Sequence, residues 1–155
     1  MDVRPMTVEE AVTLAFEPEA FGERFGLVLV DGWDEPGTLE PTVDALEGGV
    51  DPRWLTHLLV RDGEVVGMGG FTGPPVDGEV EVGYHVAPAC RGSGIATAAV
   101  RSWVDRAGRA GLVRVLARTA PGPNASTTVL VRCGFVRDPA REREAATWWW
   151  VRALT

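Results

Sequence analysis

The chain has 155 residues, 45% hydrophobic and 24% charged. That is enough for one domain with its own core, because folding at this size removes about 68–70% of the surface an unfolded chain exposes, and it excludes a small scaffold held together by disulfides or metal. Fifteen arginines and no lysine stand against 22 acidic residues, a formal charge of −7, which argues against a nucleic-acid partner, whose footprint is a clustered basic stripe.

The N-terminus carries Asp2, Arg4, Glu9 and Glu10 rather than a basic-then-apolar leader, and no run of about 18 apolar residues occurs. Neither export by that route nor a membrane span is expected. Cys90 and Cys133 lack the paired spacing of a zinc or redox site and are too few for a disulfide framework. A reducing, cytoplasmic setting and no metal are the expectation.

Val3 to Met6 reads as a short strand, and Thr7 followed by Glu10 is a capping box opening a helix through about Phe16. Gly26 to Val30 is apolar and β-branched, Asp31 to Gly37 is turn-rich, and Pro41 to Leu46 reads as a short helix ending at Gly48-Gly49. Leu55 to Arg61 and Glu64 to Phe71 are strand-like runs joined at Asp62-Gly63, a strong hairpin signal.

After the turn Gly73-Pro74-Pro75, residues Glu79 to Val86 alternate strictly: Val80, Val82, Tyr84 and Val86 on one face, Glu79, Glu81, Gly83 and His85 on the other. Ile95, Ala99, Trp103 and Ala107 share one face of a helix over 94–109, closed by Gly111. Leu112 to Thr119 is a further strand, Ala125 to Arg132 a helix stopped by Gly134, and strands follow from Phe135 and over Thr147 to Leu154. The mixture is α/β.

Chemistry concentrates where the strand ending at Val86 passes through Arg91-Gly92-Ser93-Gly94 into a helix opening at Ile95-Ala96. Unpaired amides converge at such a helix start and the helix dipole adds positive potential, so the turn is a candidate phosphate site. The same glycines also serve a plain tight turn. A GxxxxGK[ST] nucleotide loop is excluded by the absence of lysine. The dinucleotide fingerprint lacks its third glycine, since Thr97 stands there.

At these residues the sequence resembles the GNAT superfamily of N-acetyltransferases, whose cofactor motif [Q/R]-x-x-G-x-[G/A] is filled by Arg91, Gly94 and Ala96. The resemblance extends to Val86-Ala87-Pro88, to Glu81-Val82-Gly83-Tyr84 and to Ala125 through Phe135, about residues 55 to 138, and is closest to the branch of ribosomal-protein N-terminal acetyltransferases. It implies a single domain built on a mixed, mostly antiparallel twisted sheet with helices on both faces. Residues 1–53 would form the acceptor side, 54–138 the acetyl-CoA-binding core and 139–155 a C-terminal strand.

It further implies acetyl-CoA as co-substrate, its pyrophosphate on the amides of Gly92, Ser93, Gly94, Ile95 and Ala96 behind Arg91, and its pantetheine along the strand end at Val86. A main-chain N–H near Val86 would stabilise the oxyanion. Amines arrive mostly protonated at neutral pH, so a base is needed. Glu81 matches the branch's strand glutamate and would take the proton through water, with His85 on the same face as a competing base.

The tyrosine that many members use to protonate the leaving thiolate is replaced here by Leu130. Ser126 matches the branch's serine and stands as acid or thiolate hydrogen-bond donor, or equally as a hydroxyl that satisfies backbone at a helix start. Asn124 is either a pantetheine contact or a helix N-cap. Tyr84 and Trp103 read as core, while three consecutive tryptophans, Trp148 to Trp150, cannot share one strand face, so at least one is expected at the surface.

Between Arg24 and Arg53, Asp31, Asp34, Glu35, Glu40, Asp44, Glu47 and Asp51 have no basic partner in sequence. They form either a solvated acidic face or a rim that attracts a cationic amine. The expected activity is acetyl transfer to a primary amine, on a small molecule or a peptide N-terminus, by direct attack with both substrates bound. The family habit is dimeric. A non-catalytic acyl-CoA-binding or sensing module is the alternative.

Overall fold

The computed structural model describes residues 1–154. Strand β1 (Asp2–Pro5) leads into α1 (Val8–Phe16) through the expected capping box: Thr7 Oγ1 accepts the Glu10 N–H at 3.1 Å and Glu10 Oε1 accepts the Thr7 N–H at 3.0 Å. Two orphan amides of the helix start are thereby satisfied, and Arg4 neutralises the buried Glu10 carboxylate at 2.9 Å. Helix α2 (Phe21–Phe25) carries no sequence signal, since five residues hold too little periodicity, and it is held by stacking of Phe21 on Phe25 at 4.9 Å.

The apolar run at Gly26 contracts to a two-residue strand, β2 (Val28–Leu29), and α3 spans Leu39–Glu47, slightly longer than its expected core. Strands β3 (Thr56–Arg61) and β4 (Glu64–Phe71) form the hairpin at Asp62-Gly63, both at positive φ, 52° and 76°, as a two-residue turn of matching twist requires. Then come β5 (Glu79–Val86), α4 (Ile95–Arg109), β6 (Arg114–Thr119), α5 (Ala125–Arg132), the two-residue β7 (Val136–Arg137) and β8 (Trp148–Ala153).

The eight strands make one sheet in the order β1-β3-β4-β5-β6-β8-β7, with β2 alongside β4. Pairing is antiparallel except between β5 and β6 and between β2 and β4. Its two faces hold separate cores. One gathers Trp103, Ala99 and Leu130 from α4 and α5 over Val80, Val82 and Val115; the other gathers Ala11, Leu14, Val43 and Leu46 from α1 and α3 over Leu58 and Met68. Helices therefore cover both faces, as the family resemblance implied.

His57 of β3 is fully buried on the α4 face, where the Trp103 indole N–H donates to Nδ1 at 2.8 Å and Nε2 donates to the Arg53 carbonyl at 3.1 Å. Arg106 also approaches Nδ1, at 3.3 Å, and reaches the Val3 carbonyl. Three elements are tied together through one ring.

The parallel pairing of β5 with β6 runs only from Glu79↔Arg114 to Val82↔Ala117. Beyond Val82, β5 continues against β4 alone, up to Gly67↔Val86, while β6 turns its end to β8. The sheet therefore opens at residues 83–86. The three tryptophans of β8 do not lie bare: Trp150 is buried, Arg137 covers Trp148 at 3.7 Å from its ring centroid and Arg118 covers Trp149 at 5.2 Å. Trp148 and Trp149 are thus the tryptophans at the surface, each partly exposed and capped by an arginine in cation–π contact.

Candidate active site

Past β5, residues Arg91 to Gly94 turn sharply into α4, and Gly92 and Gly94 sit at φ 78° and 82°. Gly94 is the N-cap of α4 and supplies no side chain. Between the Arg91 N–H, which reaches the Pro88 carbonyl, and the Ala98 N–H, which reaches Gly94, none of the amides of residues 92–97 finds a protein acceptor among the described residues. They are free to converge on an anion, with the dipole of a 15-residue helix behind them.

The Arg91 guanidinium braces the turn by donating from Nε to the Val86 carbonyl at 3.0 Å. The Ser93 hydroxyl folds back to the Cys90 carbonyl at 2.7 Å and receives Arg61 at 3.2 Å, so Ser93 offers only its amide.

This turn lines one end of a cleft of about 530 Å³ that runs between Tyr84 to Val86 and the start of α5, with Arg91, Gly92, Gly94, Ile95 and Ala96 at one end and Ala125, Ser126, Val129 and Arg132 along its wall. A second hollow of about 360 Å³ opens on the other side of β5, between Thr38 and Thr42 of α3, Thr56, Gly69, Gly70 and Thr72, with Glu35 at its mouth. Both hollows are lined by Tyr84 and His85. They meet where β5 parts from β6.

His85 is half-buried at that junction, with Nε2 donating to the Gly32 carbonyl at 2.9 Å. A Cβ at Gly32 would stand 2.9 Å from Pro88 Cδ, so only glycine lets this carbonyl come so close. Tyr84, expected in the core, is instead partly exposed on the cleft wall, its hydroxyl donating to the Ser126 carbonyl at 3.4 Å. Burial of the ring side pushes its phenol up to about 12.

Other expected site residues separate. Glu81 lies outside the lining of both hollows and is paired to Arg118 at 2.7 Å, with 18% of its side chain exposed. Asn124 is also outside them: its Oδ1 accepts the Thr127 N–H at 2.9 Å and its Nδ2 donates to the carbonyls of Ala120 and Gly122, so it is the N-cap of α5. Leu130 is fully buried in the core. Of the acidic run, Asp51 is paired with Arg53 at 2.9 Å, while Asp31, Asp34, Glu35, Glu40, Asp44 and Glu47 enter no ion pair among the described residues.

The family profile of the acetyltransferase (GNAT) domain matches residues 3–136. The chain belongs to the GNAT acetyltransferase family. The match covers most of this acetyltransferase, including the N-terminal helices that the motif resemblance did not reach, and as a member it is an acetyl-CoA-dependent N-acetyltransferase.

Among solved structures it is similar to a ribosomal-protein-alanine N-acetyltransferase from Brucella melitensis, at 20% identity, TM-score 0.66, over 99% of this chain and 100% of that one. It is similar as well to RimJ from Mycobacterium smegmatis in complex with CoA-disulfide, at 21% identity, TM-score 0.65, over 97% and 80%. A third is the microcin C7 self-immunity acetyltransferase MccE in complex with acetyl-CoA and AMP, at 15% identity, TM-score 0.65, over 97% and 89%. At these identities the likeness establishes the fold. No curated protein matches the sequence significantly.

The residues of the acetyltransferase's first cleft fit acetyl-CoA: open amides at 92–97 for a pyrophosphate, the cations Arg91 and Arg132 in the same lining, and main chain at 83–86 that β6 leaves unpaired, with the Val86 carbonyl taken by Arg91. Gly94→Val would force a β-branched residue into a left-handed conformation, costing about 1–2 kcal/mol, and would displace the amides. Because each charge-assisted hydrogen bond is worth about 1.5–3 kcal/mol, loss of one predicts a rise in Kd for CoA of about 10-fold or more by calorimetry.

Proposed function

We propose that this acetyltransferase moves the acetyl group to a primary amine, on a small molecule or a peptide N-terminus, by direct attack with both substrates bound. The observation that carries the reading is the meeting of two hollows at Tyr84 and His85, one with an anion-binding helix start and the other walled by threonine hydroxyls with a carboxylate at its mouth. Acetyl-CoA, when bound, supplies the activated acetyl thioester. The amides of residues 92–97 hold its phosphates, and the unpaired stretch 83–86 orients the arm toward the junction.

His85 acts as base in this reading. Its Nε2–H is engaged by the Gly32 carbonyl, which leaves the lone pair on Nδ1 for the amine proton. Glu81, matching the branch's glutamate, could serve only through water, and its ion pair with Arg118 removes one oxygen from service. Glu35, the one acid of the run that lines the second hollow, biases it toward a cationic amine. The likeness to the Brucella ribosomal-protein-alanine N-acetyltransferase favours a protein N-terminus as acceptor. We read the enzyme as cytoplasmic, with Cys90 and Cys133 both free.

The test is release of free CoA thiol from acetyl-CoA across polyamines, α-amino peptides, amino acids and aminoglycosides. Release that depends on one acceptor class is expected. Tight acetyl-CoA binding by calorimetry with no acceptor-dependent thiol would overturn the reading in favour of a sensing module.

A further inference from the structure

In this chain the residue where the family's thiolate-protonating tyrosine stands is Leu130, and Leu130 is fully buried in the core under α5. No proton donor can reach the cleft from there. Yet the cleft wall does carry a phenol, Tyr84, which enters from the strand rather than from the helix and is the only tyrosine of the chain. Its hydroxyl lies at the start of α5, in contact with the Ser126 carbonyl, so a side chain rooted in β5 delivers its oxygen to the opposite wall of the cleft.

Tyr84 and His85 are consecutive on a strand, and successive side chains of a strand point to opposite faces. Tyr84 projects to the α5 side, where its hydroxyl meets Ser126; His85 projects to the side of the segment before α3, where it meets Gly32. In the middle of a sheet such a pair would be walled off from each other. Here β5 has lost β6 beyond Val82, so the two faces communicate through the gap and both residues line both hollows.

Building on the acetyl-transfer reading above, we infer that Tyr84 is the proton donor to the leaving sulfur, a role moved from the helix to the strand. The amine nitrogen forms its bond to the acetyl carbon and the carbon–sulfur bond breaks. His85 Nδ1 takes the amine proton and the Tyr84 hydroxyl gives its proton to sulfur. Phenolate and imidazolium then return to neutral through solvent, leaving amide and free thiol.

The Ser126 hydroxyl, an aliphatic alcohol and a far weaker acid than a phenol, supports the sulfur by hydrogen bonding instead. Burial keeps the Tyr84 phenol protonated throughout the working pH range, and a sulfur anion forming in the same poorly hydrated wall gains proton affinity for the same reason.

Because Tyr84 is the sole tyrosine, its ring carbon labelled at Cζ gives a single NMR resonance. Addition of CoA is expected to shift that resonance, and desulfo-CoA, which keeps every phosphate contact but lacks the thiol, is expected to shift it by less than half as much. Tyr84→Phe is expected to lower kcat by about 100-fold or more while Kd for CoA stays within about threefold, whereas Ser126→Ala loses about tenfold or less.

Equal shifts with CoA and desulfo-CoA, or Tyr84→Phe turnover within about threefold of wild type, would overturn the assignment. Wild-type protein that releases no acceptor-dependent thiol would instead overturn the transfer reading itself. The two failures are thus separately visible.

Discussion

His85→Gln is expected to lower kcat by about 10²–10⁴-fold, the range over which a positioned general base contributes. Gln can still donate to the Gly32 carbonyl, so the turn that carries Gly32 keeps its contact while the basic lone pair at Nδ1 disappears. The paired control is Glu81→Gln, for which kcat within about threefold of wild type is expected, since Glu81 is bound to Arg118 and lines neither hollow. Steady-state kinetics of both variants across pH 6 to 9 decide between the two bases: a profile lost in Glu81→Gln and kept in His85→Gln would reverse the assignment.

A second large effect is predicted on stability rather than turnover. Burial, helped by the neighbouring Arg106 guanidinium, lowers the His57 imidazole to about 4 from its ordinary 6.5. Its Nδ1 lone pair accepts the Trp103 N–H and faces Arg106, so a proton there would meet two donors and no acceptor. Between those two pH values the unfolded chain binds a proton that the folded chain refuses, so unfolding becomes easier as the pH falls.

The stabilisation is complete above about pH 6.5, lost progressively down to about pH 4 and unchanged below it, and at 1.36 kcal/mol per unit it amounts to about 3 kcal/mol. Carboxylates also titrate in this window, so the measurement is a difference: urea unfolding of wild type and His57→Gln from pH 4 to 7. The free-energy gap between the two should change by about 3 kcal/mol across the window. A gap that does not depend on pH would refute it.

Much of the architecture is legible in single segments. The Thr7–Glu10 box, the Asp62-Gly63 turn and the alternation over Glu79–Val86 are each local rules with one strong solution, and each is realised within a residue or two. Elements of two to five residues are not legible, because α2, β2 and β7 are too short to show a period and are held by Phe21 on Phe25 or by pairing with distant strands. The glycine turn is local as well: two glycines at positive φ and a helix start without a side-chain cap leave its amides open.

The acid–base groups are another matter. Alternation places Glu81 and His85 on one face, but it is silent about which of them stands where the sheet opens. Only the end of β5–β6 pairing at Val82 puts His85 at the junction and leaves Glu81 upstream, beside Arg118. In the same way the apolar pattern assigned Tyr84 to the core with Val80 and Val82. Loss of the neighbouring strand exposes the position, so a residue patterned as packing becomes part of the cleft wall.

By itself, then, the sequence determined the family motif and the local elements, the Thr7–Glu10 box, the Asp62-Gly63 hairpin and the glycine turn before α4, because these rest on residues close in the chain. The tertiary structure alone decided which side chains share the reaction space, since Gly32, His85, Tyr84 and Ser126 come from segments up to 94 residues apart and are brought together only by the gap between two strands. Side-chain chemistry is encoded residue by residue, but the meeting of an acid with a base depends on where long-range strand pairing stops.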